Sequence, residues 1–215
     1  KLQRKTNTII RIDGKSFHTY TKWLKRPFDQ GLIDDMNETA VYLCKNIQGA
    51  KFAYVQSDEI SIILTDYDSI QTDAWFDGNI QKITSISASL ATAKFNQLRE
   101  NRRNKETSNS DDKLAMFDSR VFQIPYVEEV LNYFIWRQQD ATRNSIQLVA
   151  QSLYSHKELK GKNSGMLQEM IFQKGINWND FSNREKRGSI IRKFDEGGKS
   201  TWKVDNDTPI FTYDR

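Results

Sequence analysis

With 215 residues, 37 % of them hydrophobic, the chain can build one sizeable core, or a core with a smaller packed appendage, and is too apolar to stay disordered. Its 32 Lys and Arg against 28 Asp and Glu leave a net charge of +4, which admits nucleic acid as a partner without demanding it. The single cysteine, Cys44, excludes an internal disulfide framework and, with only His18 and His156 beside it in composition, the usual zinc ligand sets.

In chain order, the β-branched run at 8–13 closes on Asp13-Gly14 and reads as a buried strand ending in a turn. Over 31–47, Leu32, Met36, Ala40, Leu43, Cys44 and Ile47 recur every three or four residues and give an amphipathic helix. Residues 51–56 and 60–65 form a hairpin through Ser57-Asp58-Glu59. A second helix carries Ile80, Ile83, Leu90, Ala91, Phe95 and Leu98, the charged stretch 99–113 reads as a loop, and 120–124 is a strand stopped by Pro125. Beyond it, 127–139, 142–154, 166–173 and 180–186 are predicted helices, and 188–194 with 201–204 a terminal hairpin.

The order β-α-β-β-α-β predicts an α+β, ferredoxin-like sheet ordered 4-1-3-2 over residues 1–125, with a mainly helical appendage over 126–215 that ends in the hairpin. That topology brings the end of the first strand to the tip of the hairpin. Asp13 then meets Asp58 and Glu59, an acidic set suited to two Mg²⁺ ions and in-line phosphoryl or nucleotidyl transfer. Alone, each fragment is an ordinary turn; together they form a candidate site. The segment Gly14-Lys15-Ser16-Phe17-His18 can aim backbone N–H groups at phosphate, but it lacks Walker A spacing. Arg11, Lys22, Lys25, Arg26 and Lys82 supply candidate positive charge. Trp136-Arg137 and Arg143-Asn144 can receive a nucleotide or an RNA end; otherwise Trp136 is core and Arg137 pairs with Asp140.

The segments 11–17 (Arg-Ile-Asp-Gly-Lys-Ser-Phe), 26–29 (Arg-Pro-Phe-Asp), 56–61 (Gln-Ser-Asp-Glu-Ile-Ser), 117–120 and 133–138 (Tyr-Phe-Ile-Trp-Arg-Gln) occur in the order found in tRNA-histidine guanylyltransferases, which the chain resembles along nearly its whole length. The resemblance implies a polymerase-like palm domain working in the 3′-to-5′ direction at a tRNA 5′ end. It implies Mg²⁺ ligands at Asp13, the Gly14 carbonyl and Asp58, with Glu59 in support. It further implies that GTP or ATP is bound by Asp13, Gly14, Lys15, Ser16, Phe17, His18, Arg26, Ser57, Asp58 and Lys82, and the RNA 5′ end by Arg137 and Asn144. Thr142-Arg143-Asn144-Ser145 departs from the His-Ile-Asn-Asn of the eukaryotic histidine-tRNA enzymes and resembles the guanylyltransferase-like branch, whose members extend 5′-truncated tRNA against the opposite strand. Addition of one guanosine to histidine tRNA, a cyclase-like activity and a non-catalytic tRNA-binding module stand as alternatives.

The family further implies a homotetramer. The absence of an apolar run of roughly 20 residues, or of an apolar segment at the N-terminus, argues against a membrane or secreted protein. The expectation is an intracellular, cytoplasmic protein, or a mitochondrial one if a targeting segment has been lost.

Overall fold

A computed structural model of the protein describes residues 1–103 and 113–213. The opening strand β1 (Asn7–Gly14) lies one strand in from the edge of a six-stranded antiparallel sheet. On one side it pairs with β3 (Glu59–Leu64), setting Asp13 opposite Glu59, and on the other with β4 (Phe117–Ile124), setting Asp13 opposite Asp118. Strand β2 (Ala50–Gln56) pairs with β3, and the terminal hairpin of β5 (Ser189–Glu196) and β6 (Lys199–Asp205) pairs with β2 through Ala53 and Ile191. The predicted order 4-1-3-2 is therefore present and continues as β4-β1-β3-β2-β5-β6.

Alternation along β1 sorts its side chains between two cores. Ile10 and Ile12 join Ile60 and Ile62 beneath α2 (Gln30–Asn46) and α3 (Ile80–Arg103), where Met36, Leu43, Ile83 and Phe95 complete an apolar layer. Ile9 faces the other way with Tyr54 and Ile63, onto Val130, Tyr133 and Phe134 of α4 (Val127–Leu153). Cys44 is buried among the α2 core residues, as expected, and burial pushes its thiol up to about 12.

Two predicted helices, 127–139 and 142–154, are the single 27-residue α4. Asp140 does not break it, because its carboxylate takes hydrogen bonds from Arg137 at 3.2 Å and Arg143 at 2.9 Å, three residues away on either side, rather than competing for the backbone. The far half of α4 leaves the sheet and packs Ile146, Val149 and Ala150 against Leu167 and Ile171 of α6 (Ser164–Gln173). The predicted loop at 99–113 begins later than expected: α3 runs on to Arg103, and Arg99 and Arg102 bind the buried Asp35 at 3.0 and 2.8 Å. The rest of that stretch, 104–112, lies outside the described residues. Strand β4 starts three residues ahead of its predicted position because Phe117, Asp118 and Ser119 pair with Gly14, Asp13 and Ile12. The predicted helix at 180–186 resolves into a 3-10 turn, Trp178–Asp180, and α7 (Asn183–Arg187), started by a Ser182–Glu185 capping box. Short helices α1 (Phe17–Tyr20) and α5 (His156–Leu159) complete the description. No helix among the described residues is long and apolar enough to cross a membrane.

Candidate active site

The site forms where β1 runs out. The Gly14 N–H donates to the Asp58 carbonyl at 3.1 Å, so the hairpin turn is pinned to the end of β1 and Asp13 sits beside Asp58 and Glu59. Burial raises the Asp58 carboxyl to about 6, and the charges of Asp13 and Glu59 add to the rise against hydrogen bonds from the backbone and Ser57. A buried carboxyl with a second carboxylate beside it is a good fit for a divalent cation, which favours the charged form of Asp58. Among the described residues no three His, Cys, Asp or Glu side chains gather as a ready cage. The oxygens available to a hard cation at this end are those of Asp13, Asp58 and the Gly14 carbonyl.

Gly14 and Asp58 open onto a cleft of about 540 Å³, within the range of small-molecule sites. Its floor is the 14–18 segment and the 56–58 turn, one wall is the start of α2 with the loop before it, and the other is α4 from Ala141 to Gln151 with Arg184, Glu185 and Gly188. Ser16 and Ser57, one from each floor segment, hold left-handed backbone at φ 55° and 48°. In a non-glycine residue this costs about 1 kcal/mol or more and is characteristic of functional turns. Gly14 lies so close to the Phe17 ring that a Cβ would stand 2.3 Å from it. That ring cannot yield, being packed against Tyr20, Phe95 and Phe117 at centroid distances of 5.0 to 5.6 Å. At Gly188, φ is +81° and a Cβ would meet the Val55 carbonyl at 2.3 Å, so only glycine lets β5 leave the cleft wall there.

Of the residues singled out from the sequence, Gly14, Ser16, Phe17, His18, Arg26, Ser57, Asp58 and Asn144 line the cleft. Asp13 stands at its acidic end. Lys15 is exposed and is not part of the lining. Lys82 sits in the first turn of α3, its ammonium 5.8 Å from the Phe76 ring, near the Leu2–Gly78 contact at the opposite end of β1 from Asp13. Arg137 is buried and binds Glu59 in bidentate fashion at 2.7 and 2.7 Å, with Asp140 as a weaker partner. Trp136 is half exposed rather than core.

The sequence reading missed Asp29, Gln56, Leu148, Gln151, Arg184 and Glu185 as cleft residues. Arg184 is held by Asp34 at 2.9 Å, and Glu185 accepts from Gln30 at 2.7 Å, so α7 is tied to the start of α2 across the cleft mouth. No local spacing links positions 150 residues apart; only the capping box marked where α7 begins. Asp29 caps α2, its carboxylate accepting from the Leu32 N–H at 2.7 Å, a role that its place just before the helical repeat could have signalled.

A family profile described as tRNAHis guanylyltransferase matches residues 1–125. A tRNA(His) guanylyltransferase of Debaryomyces hansenii is 30 % identical over 205 residues, covering 88 % of this chain and 75 % of that protein. Among solved structures, a bacterial tRNA(His) guanylyltransferase-like protein in complex with ATP matches with a TM-score of 0.90 and 50 % identity over 100 % of this chain and 89 % of the other. A bacterial protein of the same description in complex with GTP matches at 0.83 and 46 %, over 98 % and 86 %.

Proposed function

The chain belongs to the tRNA(His) guanylyltransferase family, and from that membership we propose a template-dependent 3′-to-5′ nucleotidyltransferase that rebuilds the 5′ end of truncated tRNA. The choice of branch is supported by identities of 50 and 46 % to guanylyltransferase-like proteins, against 30 % to a tRNA(His) guanylyltransferase. The observation that carries the chemistry is the Gly14–Asp58 backbone bond, which fastens two carboxylates from separate strands at the edge of a cleft of nucleotide size.

In this reading Asp13, Asp58 and the Gly14 carbonyl hold two Mg²⁺ ions, which when bound activate the attacking oxygen and neutralise charge on the phosphates. ATP or GTP enters the cleft, with Lys25 and Arg26 in the wall set against the triphosphate. The left-handed turns at Ser16 and Ser57 keep the floor open at the phosphate end. An oxygen of the RNA 5′-monophosphate, approaching along Asn144, attacks the α-phosphorus of this first nucleotide, and pyrophosphate leaves. The 3′-hydroxyl of an incoming nucleoside triphosphate then attacks the RNA 5′-phosphorus and expels AMP or GMP, and pairing with the opposite strand of the acceptor stem selects the base. Both steps are in-line displacements at phosphorus, so one carboxylate pair serves both. The homotetramer implied by the family resemblance is carried into this reading, and sedimentation would read it.

The test supplies tRNA lacking its first nucleotide with ATP, Mg²⁺ and labelled nucleotides to the wild type, Asp13→Ala and Asp58→Ala. Template-matched addition by the wild type alone is expected. A single guanosine added to intact histidine tRNA, and nothing to the truncated one, would favour the plain guanylyltransferase reading. RNA binding with no metal-dependent product would identify a non-catalytic module.

A further inference from the structure

Arg137 and Glu59 meet deep in the protein, each side chain 9 % exposed. Glu59 is saturated by this contact and its neighbours. Its Oε2 accepts from Arg137 Nη2 at 2.7 Å, while its Oε1 accepts from Arg137 Nε at 2.7 Å and, more weakly, from Gln56 and Ser61 at 3.4 Å each. Two of the three guanidinium nitrogens are engaged in turn: Nε and Nη2 both bind Glu59, Nη2 also donates to Asp140 at 3.2 Å, and the Trp136 ring covers the group at 4.6 Å. A carboxylate so bonded has little left to offer a metal ion, and a guanidinium with Nε and Nη2 committed and its side chain 9 % exposed keeps only Nη1 and cannot grip a phosphate through the Nε–Nη2 fork.

Position gives the pair its use. Glu59 directly follows Asp58 and stands opposite Asp13 in the β1–β3 register, and Arg137 lies one turn before Ala141 and two before Asn144, both in the cleft wall. One ion pair therefore ties the turn that carries the acidic site to the helix that walls the nucleotide cleft. We infer that Arg137 is a positioning residue: by clamping Glu59 it sets the Asp58 turn against the α4 wall, and touches neither nucleotide nor RNA itself. The inference rests on the nucleotidyltransferase reading above and gives Glu59 the form of its support, an anchor for the Asp58 turn, with Arg137 as its clamp rather than a contact to the RNA 5′ end.

The test combines Arg137→Gln, Glu59→Gln and the double variant, with two readouts: Mn²⁺ binding in the presence of GTP, followed by electron paramagnetic resonance, and the steady-state constants for 5′-truncated tRNA. Arg137→Gln is expected to weaken Mn²⁺ binding and lower kcat about tenfold or more, the usual range for groups that orient metal ligands. The KM for RNA should stay within about twofold, since no uniform RNA-binding contact is lost. Because both residues act through one contact, the double variant should be no worse than Arg137→Gln alone. A raised KM for RNA with unchanged Mn²⁺ binding, or losses that multiply in the double variant, would overturn the assignment. Should Arg137→Gln fail to fold because it leaves a buried carboxylate unpaired, Arg137→Lys replaces it; Lys lacks the two-pronged geometry, so wild-type Mn²⁺ binding in that variant would also overturn the assignment. A wild type that neither binds Mn²⁺ with GTP nor forms product would instead remove the nucleotidyltransferase reading, and this inference with it.

Discussion

The two faces of the sheet are built from the same strands to opposite ends. Under α2 and α3, Ile10, Ile12, Ile60 and Ile62 are completely buried, and the layer is apolar along the length of β1. Under α4 the face is apolar only at one end, with Ile9, Ile63 and Phe134; towards the other it passes through Ser61 and Tyr133, hydrogen-bonded at 2.7 Å, to Glu59 and Arg137 and finally to Asp13 and Asp58. Adjacent residues Ile12 and Asp13 thus belong to different kinds of structure. The first holds the fold together, while the second adds charge that the fold must tolerate.

The contrast is broken most sharply by substituting one residue from each side. Asp13→Ala and Asp58→Ala should each lower nucleotide addition by at least about a thousandfold in a single-turnover assay, with no loss of thermal stability, if the carboxylates carry the metal chemistry. Ile62→Ala, on the opposite face, should cost about 2–5 kcal/mol in denaturant unfolding while the remaining folded protein keeps its turnover. An inert Ile62→Ala at full stability, or a destabilised Asp58→Ala, would mean that the two faces are not divided in this way.

The acidic side has its own pH signature. The folded Asp58 carboxyl titrates near 6, above its ordinary value of 3.8, so the folded state holds the proton more tightly than the unfolded one. Stability without metal should therefore fall as pH rises between about 4 and 6, and Asp58→Asn should flatten that slope. At subsaturating Mg²⁺, addition should show the reverse, declining below about 6 as the proton competes with the cation for Asp58, and added Mg²⁺ should shift that limb to lower pH. The smallest effect is expected at Gln138, which donates to the Pro209 carbonyl and accepts from the Phe211 N–H, both at 2.8 Å, lacing the tail across α4. Gln138→Ala should cost about 1–2 kcal/mol in thermal unfolding and leave turnover unchanged.

What the sequence made legible were features with a local period or a short motif. The helix repeat of α2, the alternation around Asp58-Glu59 and the Asp13-Gly14 turn each follow from a few neighbouring side chains. The sheet order followed because right-handed crossovers leave few ways to join those pieces. What stayed hidden depends on partners far along the chain. Asp140 looked like a helix boundary until Arg137 and Arg143 occupied it, and Arg99 looked like loop until Asp35 gave it a buried partner. Arg184 entered the cleft only through a 150-residue excursion. Arg137 shows the same limit within the site itself: its motif pointed to RNA, and its surroundings point to Glu59.

The most direct test is the position of the metal. In crystals grown with GTP and Mn²⁺, anomalous scattering should place manganese between the Asp13 and Asp58 carboxylates, with the triphosphate reaching along the floor from Gly14 to His18. Manganese bound elsewhere, or a nucleotide in the cleft with no metal at those two carboxylates, would contradict the account.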